Sequence, residues 1–363
     1  MFTGHPAILK AMDLKTGREL WNSDTACMPS RVTSAESPHP GGGLSNMRVR
    51  LLLCIFTLAC APAFAQKGAP LSSAKVLWLG DSITQAGDYV SLAEYYLNKQ
   101  YTSGHFDFVS VGLSSETVSC LTEKDHPFPR PCLSDRLQRA LDTVHPQVVI
   151  ACYGMNDGIY HPQSPERMAA FQKGIQNLIA AVRAKNARLI LLTPPPFDPV
   201  AITTTLPASA PDFSYKAPYE KYDDVLADYA AWEKTLAAAD IQVVDLHTPI
   251  GAYLAKQRAT DPKFSFTKDG IHPDLAGHLL MTRILLKDLR VNVPQIALND
   301  EVAHIQSDPL YVLVKDHRQK RSQAWLDYIG YTRDKTVKTE KPYPSDETVQ
   351  QIQQQVDLMR NAK

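Results

Sequence analysis

Three short polar punctuations, each following an apolar run of strand length, carry residue types suited to acyl transfer. They are Gly80-Asp81-Ser82-Ile83-Thr84, then Gly112, then Gly154-Met155-Asn156-Asp157. A fourth, Asp269-Gly270-Ile271-His272-Pro273, sets a carboxylate and an imidazole three residues apart on a tight turn. Cleaving an ester needs a hydroxyl nucleophile, an imidazole to take its proton, a carboxylate to hold that imidazole's tautomer, and donors aimed at the developing oxyanion. Ser82 is the candidate nucleophile, His272 the general base and then acid, and Asp269 the group that orients it. The Ser82 and Gly112 backbone N–H groups and the Asn156 side-chain amide are the candidate oxyanion donors. Each residue alone also has a bland role. Asp81 or Ser82 suits a helix N-cap, Asn156 a left-handed turn, and Asp269 and His272 the cap of a helix starting at Pro273. Their joint occurrence is what points to chemistry.

These residues must be held by the elements between them. Apolar strand-length runs at 76–79, 106–111, 147–153, 188–193 and 241–246 alternate with helical patterns at 89–100, 133–144, 164–185, 219–239 and 273–286. Near-continuous apolar strands separated by helices predict a doubly wound parallel sheet. Such a sheet binds ligands beyond the carboxyl ends of its strands, where the first three punctuations fall.

Taken together, G80-D81-S82, G112, G154-x-N156-D157 and D269-x-x-H272 resemble the four blocks of the SGNH, or GDSL, hydrolase family, in its order and spacing. The resemblance covers about residues 75–290 and is most similar to exported bacterial esterases and acylhydrolases. It implies an α/β/α three-layer sandwich with a five-stranded parallel, flavodoxin-like sheet. It also implies a serine ester hydrolase among lipases, acetylesterases, thioesterases and a few acyltransferases. The G-x-S-x-G elbow of ordinary α/β-hydrolases is missing from the sequence.

The chain of 363 residues is 44% hydrophobic with zero formal net charge, which argues against a nucleic-acid binder and gives no reason for attraction to anionic membranes. Residues 47–65, MRVRLLLCIFTLACAPAFA, read as a signal peptide with an A-x-A exit, its apolar run from Leu51 to Ala61 too short to span a bilayer. Export to the periplasm or outside the cell follows, with no stable membrane insertion after cleavage. Residues 1–46 then read as an upstream mis-start outside the fold. Within them, Ala11 to Trp21 resembles the tryptophan-containing turn of one quinoprotein-dehydrogenase propeller blade, but one blade closes no propeller, so no quinone chemistry is carried over. The expected domains are therefore 66–290 for the hydrolase and 291–363 for a C-terminal helical extension.

Loss of 1–65 leaves Cys120, Cys132 and Cys152. The first two flank a proline-rich loop and could pair; Cys152 lies in an apolar run and reads as a buried free thiol. His126, His145, His161, His247 and His278 show no metal-ligand spacing, so neither a metal nor a cofactor is expected. Two long loops, 114–133 and 194–218, are candidates for the rim. Phe197, Phe213 and Tyr215 would either stack on a sugar or short acyl group or pack beneath those loops. After Val291 a helix from Ser307-Asp308-Pro309 to Gly330 and a second over 346–360 are expected, the first with an apolar stripe to bury on the sandwich or on a partner chain, the same chain being favoured. Its Lys315, Arg318, Lys320 and Arg321 read as a solvated face. The expected substrate is a small ester or an acetylated carbohydrate. The same serine could instead serve an acyltransferase, and a silent glycan-binding module of this fold is the reading from outside enzymology.

Overall fold

The expected strands form one sheet whose order brings the motif-bearing turns together. The computed structural model describes residues 9–12, 19–23, 69–329 and 347–361. The segment 47–65, expected to be a signal peptide, lies outside the described residues. Within 1–63, which is a separate unit, β1 (Leu9–Met12) pairs antiparallel with β2 (Glu19–Ser23).

In the main unit the chain runs β3 (Lys75–Gly80), α1 (Ser82–Ala86), α2 (Asp88–Gln100), β4 (Asp107–Ser110), α3 (Leu137–Val144), β5 (Val148–Cys152) and α4 (Pro165–Ala184). It continues through β6 (Arg188–Leu192), α5 (Tyr222–Glu233), β7 (Ile241–Val244), α6 (His247–Arg258) and α7 (Leu275–Asp288). Helices α8 (Leu298–Ser307), α9 (Pro309–Ile329) and α10 (Glu347–Asn361) complete the described chain. The sheet order is β4-β3-β5-β6-β7, all parallel, the flavodoxin-like order of a three-layer α/β/α sandwich. Strand β5 is buried along its whole length and β3 from its second residue on, which is why they read as unbroken apolar runs. Ser164 caps α4 by accepting a hydrogen bond from the Arg167 N–H, with Pro165 in the first turn, as the sequence indicated.

Three element assignments change. The closing helix starts at Leu275 rather than Pro273, because Asp274, not Asp269 or His272, accepts from the Gly277 N–H as its cap. Helix α6 was not expected, since Pro249 and Gly251 in its first turns disguise it. Helix α8 was also missed, although Asp300 and Glu301 in its first turn and Leu298, Val302 and Ile305 at helical spacing carry the signal.

The C-terminal helices bury their apolar stripe on this chain. Helix α9 packs on α2 and β4, and α10 packs on α9. Val314, Trp325 and Ile329 are buried. The basic group on α9 is not a solvated face. Lys315 pairs with Asp88 at 2.6 Å, Arg321 pairs with Asp107, and Arg318 is 3% exposed; Lys320 alone of the four pairs along its own helix, with Asp316. Helix α9 presents Lys315, Arg318 and Arg321 to acidic and carbonyl groups of the sandwich, and the sequence pattern of one helix cannot show that.

Candidate active site

Strand β3 ends at Gly80, where a Cβ would stand 2.0 Å from Thr84 Oγ1 and 2.8 Å from the Cys152 carbonyl oxygen. That close approach lets the chain turn straight into α1. Asp81 caps α1 by accepting from the Ile83 N–H at 2.9 Å, so the capping role falls to Asp81 and the Ser82 hydroxyl is not used for it. Gly87, at φ 66°, closes the helix, its N–H donating to the Ile83 carbonyl. The turn at 269–272 is built around Asp269. Its Oδ1 accepts from the N–H groups of Ile271 and His272 at 3.0 and 2.9 Å, and Gly270 takes φ 77°. This turn is the physical reason for the D-x-x-H spacing, because it folds the His272 ring back onto the carboxylate that anchors its backbone.

The two turns meet. His272 Nδ1 lies 2.6 Å from Asp269 Oδ2, and His272 Nε2 lies 2.8 Å from Ser82 Oγ. Both contacts are satisfied when Nδ1–H donates to the carboxylate and the Ser82 hydroxyl donates to Nε2. The Asp269 hydrogen bond raises the His272 pKa above its ordinary value, against the opposing effect of burial. Burial works against Asp269 as well, but the His272 ring and the two backbone N–H groups hold it down to about 2. The His272 and Asp269 side chains are 47% and 51% exposed, so the site opens to solvent. Asp81, packed beneath it, is pushed up to about 7 by burial.

Gly112 follows β4, beside β3, and packs onto α1 so tightly that a Cβ there would lie 2.3 Å from the Gln85 nitrogen. The next residues are tied to the end of β3 and to the same helix, with Leu113 N–H donating to the Gly80 carbonyl and Ser114 N–H to Gln85 Oε1 at 2.7 Å. Asn156 follows β5, on the other side of β3. Its Oδ1 accepts from the Tyr160 hydroxyl at 2.9 Å and its Nδ2 donates to the Glu116 carbonyl at 3.3 Å. These contacts fix which end of the amide is the donor. Three neighbouring strands, β4, β3 and β5, thus bring Gly112, Ser82 and Asn156 to one edge, and α7's leading turn adds Asp269 and His272. The arrangement can transfer a proton from a serine hydroxyl to a carboxylate-oriented imidazole beside backbone and amide N–H donors.

A family model for the GDSL-like lipase/acylhydrolase family matches residues 78–280. The chain belongs to that family. This GDSL-like acylhydrolase is an ester hydrolase by membership. No curated protein matches it. Among solved structures, a gut microbial diltiazem-metabolizing enzyme is 20% identical, with a TM-score of 0.45, over 61% of this chain. That match spans 49% of the other chain, about half its length. A catalytic mutant of an acetylxylan esterase from Geobacillus stearothermophilus is 20% identical with a TM-score of 0.46, covering 62% of this chain and 97% of that one. An alpha/beta hydrolase from the metagenome of Lake Arreo, Spain, is 22% identical with a TM-score of 0.43, over 61% and 98%.

The GDSL-like site rests on a buried polar scaffold that sequence reasoning missed. Asp157, fully buried, accepts from the N–H groups of Val118 and Ser119 at 2.8 Å each and of Gly154 at 3.0 Å, joining the Gly112 segment to the Asn156 turn. Burial nonetheless pushes its carboxyl up to about 6. Arg136 grips Glu116 with two bonds of 2.6 Å, and Tyr153 donates its hydroxyl to the same carboxylate. Arg130 grips Glu123 in the same way and donates to the Ser115 carbonyl. Cys120 and Cys132 are joined by a disulfide, and Cys152 is a buried free thiol. The available signal for this scaffold was two acids and two arginines, Glu116, Glu123, Arg130 and Arg136, spaced through and just beyond the proline-rich loop 114–133.

Two of the three aromatic rim candidates are corrected. Phe197 is 2% exposed and packs edge-on against Tyr222 beneath Gly270, and Phe213 is 6% exposed beside His161 and Tyr219. Both are buried against neighbouring aromatic rings, so neither offers a free face to substrate. Tyr215 is half-buried against His126. His278 is buried, stacked on Tyr89, and pushed down to about 4 by burial. Among the described residues no group of three or more His, Cys, Asp or Glu side chains could hold a metal, and no helix is long and apolar enough to cross a membrane.

Proposed function

We propose that this acylhydrolase is an exported serine esterase that removes short acyl groups, foremost O-acetyl groups carried on carbohydrate. The single observation that carries the reaction is the pair of contacts at His272, 2.8 Å to Ser82 Oγ and 2.6 Å to Asp269 Oδ2. Ser82 attacks the ester carbonyl as His272 Nε2 takes its proton. Asp269 holds Nδ1–H and stabilises the imidazolium that forms. The Ser82 and Gly112 N–H groups and the second Nδ2 hydrogen of Asn156 take the oxyanion. The imidazolium then protonates the leaving alcohol, and water, activated by the same ring, releases the acid.

The openness of the site supports an acyl group on a bulky alcohol. With His272 and Asp269 half-exposed, an ester borne on a polymer can reach Ser82, and water can reach the acyl-enzyme, which favours hydrolysis over transfer. A signal-peptide pattern at 47–65 and a neutral charge balance support a substrate outside the cytoplasm.

The test is hydrolysis of acetyl, butyryl and octanoyl p-nitrophenyl esters and of acetylated xylan and pectin by wild type and Ser82→Ala. Acetyl esters are expected to turn over fastest, with loss of at least roughly 10³-fold in the variant. A folded wild type inert on every ester, or a variant as active as wild type, would overturn the proposal.

A further inference from the structure

We infer that Arg318, on the C-terminal helix α9, is a positioning residue that holds the Ser82 turn against the Gly112 segment. The inference rests on the serine reading above. Arg318 lies outside the residues matched to the family model, 78–280, yet its guanidinium ends at the carboxyl terminus of α1. Its Nη2 donates to the Ala86 carbonyl at 2.8 Å, its Nη1 to the Gln85 carbonyl at 3.4 Å, and its Nε to Ser91 Oγ at 2.9 Å.

A helix of five residues leaves its last carbonyls without intrahelical partners. A planar guanidinium can meet two such carbonyls and a hydroxyl at once, which a lysine ammonium cannot do with the same fixed geometry. Gly87 completes the fit, because a Cβ there would stand 2.5 Å from Arg318 Nη1. Burial disfavours the charge, while Asp88 and Glu94 beside it favour it. A charge held at 3% exposure for two backbone carbonyls and a serine is a specific attachment rather than a solvated side chain.

The attachment reaches the reacting groups through Gln85. The residue whose carbonyl Arg318 holds also places its side-chain Oε1 on the Ser114 N–H and its backbone nitrogen against Gly112. Releasing the carboxyl end of α1 therefore loosens both the helix that begins with Ser82 and its register with the Gly112 N–H. Misplacement of a reacting group by about 1 Å costs on the order of 10²-fold in rate. Arg318 touches no substrate, so the loss falls on the chemical step.

The test compares full-length wild type with Arg318→Met, Arg318→Lys and Arg321→Met. Arg321 sits one turn on along α9 and pairs with Asp107, at the start of β4 and away from the reacting groups. Three readouts are taken: the rate of Ser82 labelling by a fluorophosphonate, kcat and KM on p-nitrophenyl acetate, and the thermal midpoint. We expect Arg318→Met to slow labelling and kcat at least 10-fold with KM within twofold, Arg318→Lys to slow labelling about fivefold, and Arg321→Met to leave both rates within twofold while lowering the midpoint. If Arg318→Met does not fold, the labelling rate of Arg318→Lys decides. Unchanged labelling in a folded Arg318 variant, or an equal loss in Arg321→Met, overturns the inference alone. A wild type that takes no label overturns the serine reading and the inference with it.

Discussion

Replacing Gly112 with alanine is a small change with a large expected effect, and the structure sets its size. The added Cβ would lie 2.3 Å from the Gln85 nitrogen, 2.4 Å from the Thr84 carbonyl carbon and 2.7 Å from Thr84 Cβ. Ordinary contact between such atoms is about 3.5 Å, so the shortfall is roughly 1 Å. Two of the three opposing atoms are backbone, so no side chain can swing aside. Either α1 or the Gly112 segment must move by about that distance. Thr84 and Gln85 are two and three residues beyond Ser82 on the same short helix, so Ser82 moves relative to His272 and to the Gly112 N–H. A displacement of this size costs on the order of 10²-fold in kcat, and overpacking of this kind destabilises by about 1–3 kcal/mol. The assay is kcat and KM on p-nitrophenyl acetate together with urea unfolding. A Gly112→Ala variant with wild-type kcat and stability would refute the argument that this glycine exists for close approach.

Further outcomes follow from the same contacts. Asp269→Asn removes the acceptor of His272 Nδ1–H and is expected to lower kcat on the order of 10³–10⁴-fold. Since Asp269 raises the His272 pKa and the base must be neutral, the acid limb of the pH–rate profile should also move to lower pH in the variant. Asp81 ionises near 4 when unfolded but only at about 7 when folded, so wild-type stability declines as pH rises through that window. Asparagine keeps the acceptor for the Ile83 N–H and carries no charge, so the thermal midpoint of Asp81→Asn relative to wild type should rise between pH 5 and pH 8. No change in that difference would contradict the burial of an ionisable Asp81. Arg136→Ala leaves the Glu116 carboxylate buried and unpaired, with an expected loss of about 3–5 kcal/mol by urea unfolding.

The parts legible in the sequence are those whose signal is local. A strand buried on both faces is a continuous apolar run, so β3, β5 and β6 could be read directly, and the parallel order put their turns on one edge. The D-x-x-H turn is likewise local, since Asp269 binds the backbone it precedes. The scaffold was not legible, because its partners are far apart in sequence. Glu116 meets Arg136, Asp157 meets Val118 and Ser119, and Arg318 meets Gln85 and Ala86, and none of these pairings has a period. The aromatic rim failed for a related reason. Phe197 and Phe213 sit on one long loop, 194–218, and composition does not show whether a loop aromatic faces outward or inward; here both are buried. Helix α6 was hidden by Pro249 and Gly251, whose usual meaning as breakers is overridden where Asp245 Oδ1 accepts from the Thr248 N–H and Thr193 Oγ1 from the N–H groups of Leu246 and His247.

In the proposed mechanism Ser82 is a nucleophile activated by His272. Incubation with a fluorophosphonate followed by peptide mass mapping tests it without assuming any substrate. A single adduct on Ser82 is expected, with loss of labelling in His272→Ala as well as in Ser82→Ala. An unlabelled Ser82 in the folded protein, or labelling that survives removal of His272 at the wild-type rate, would contradict it.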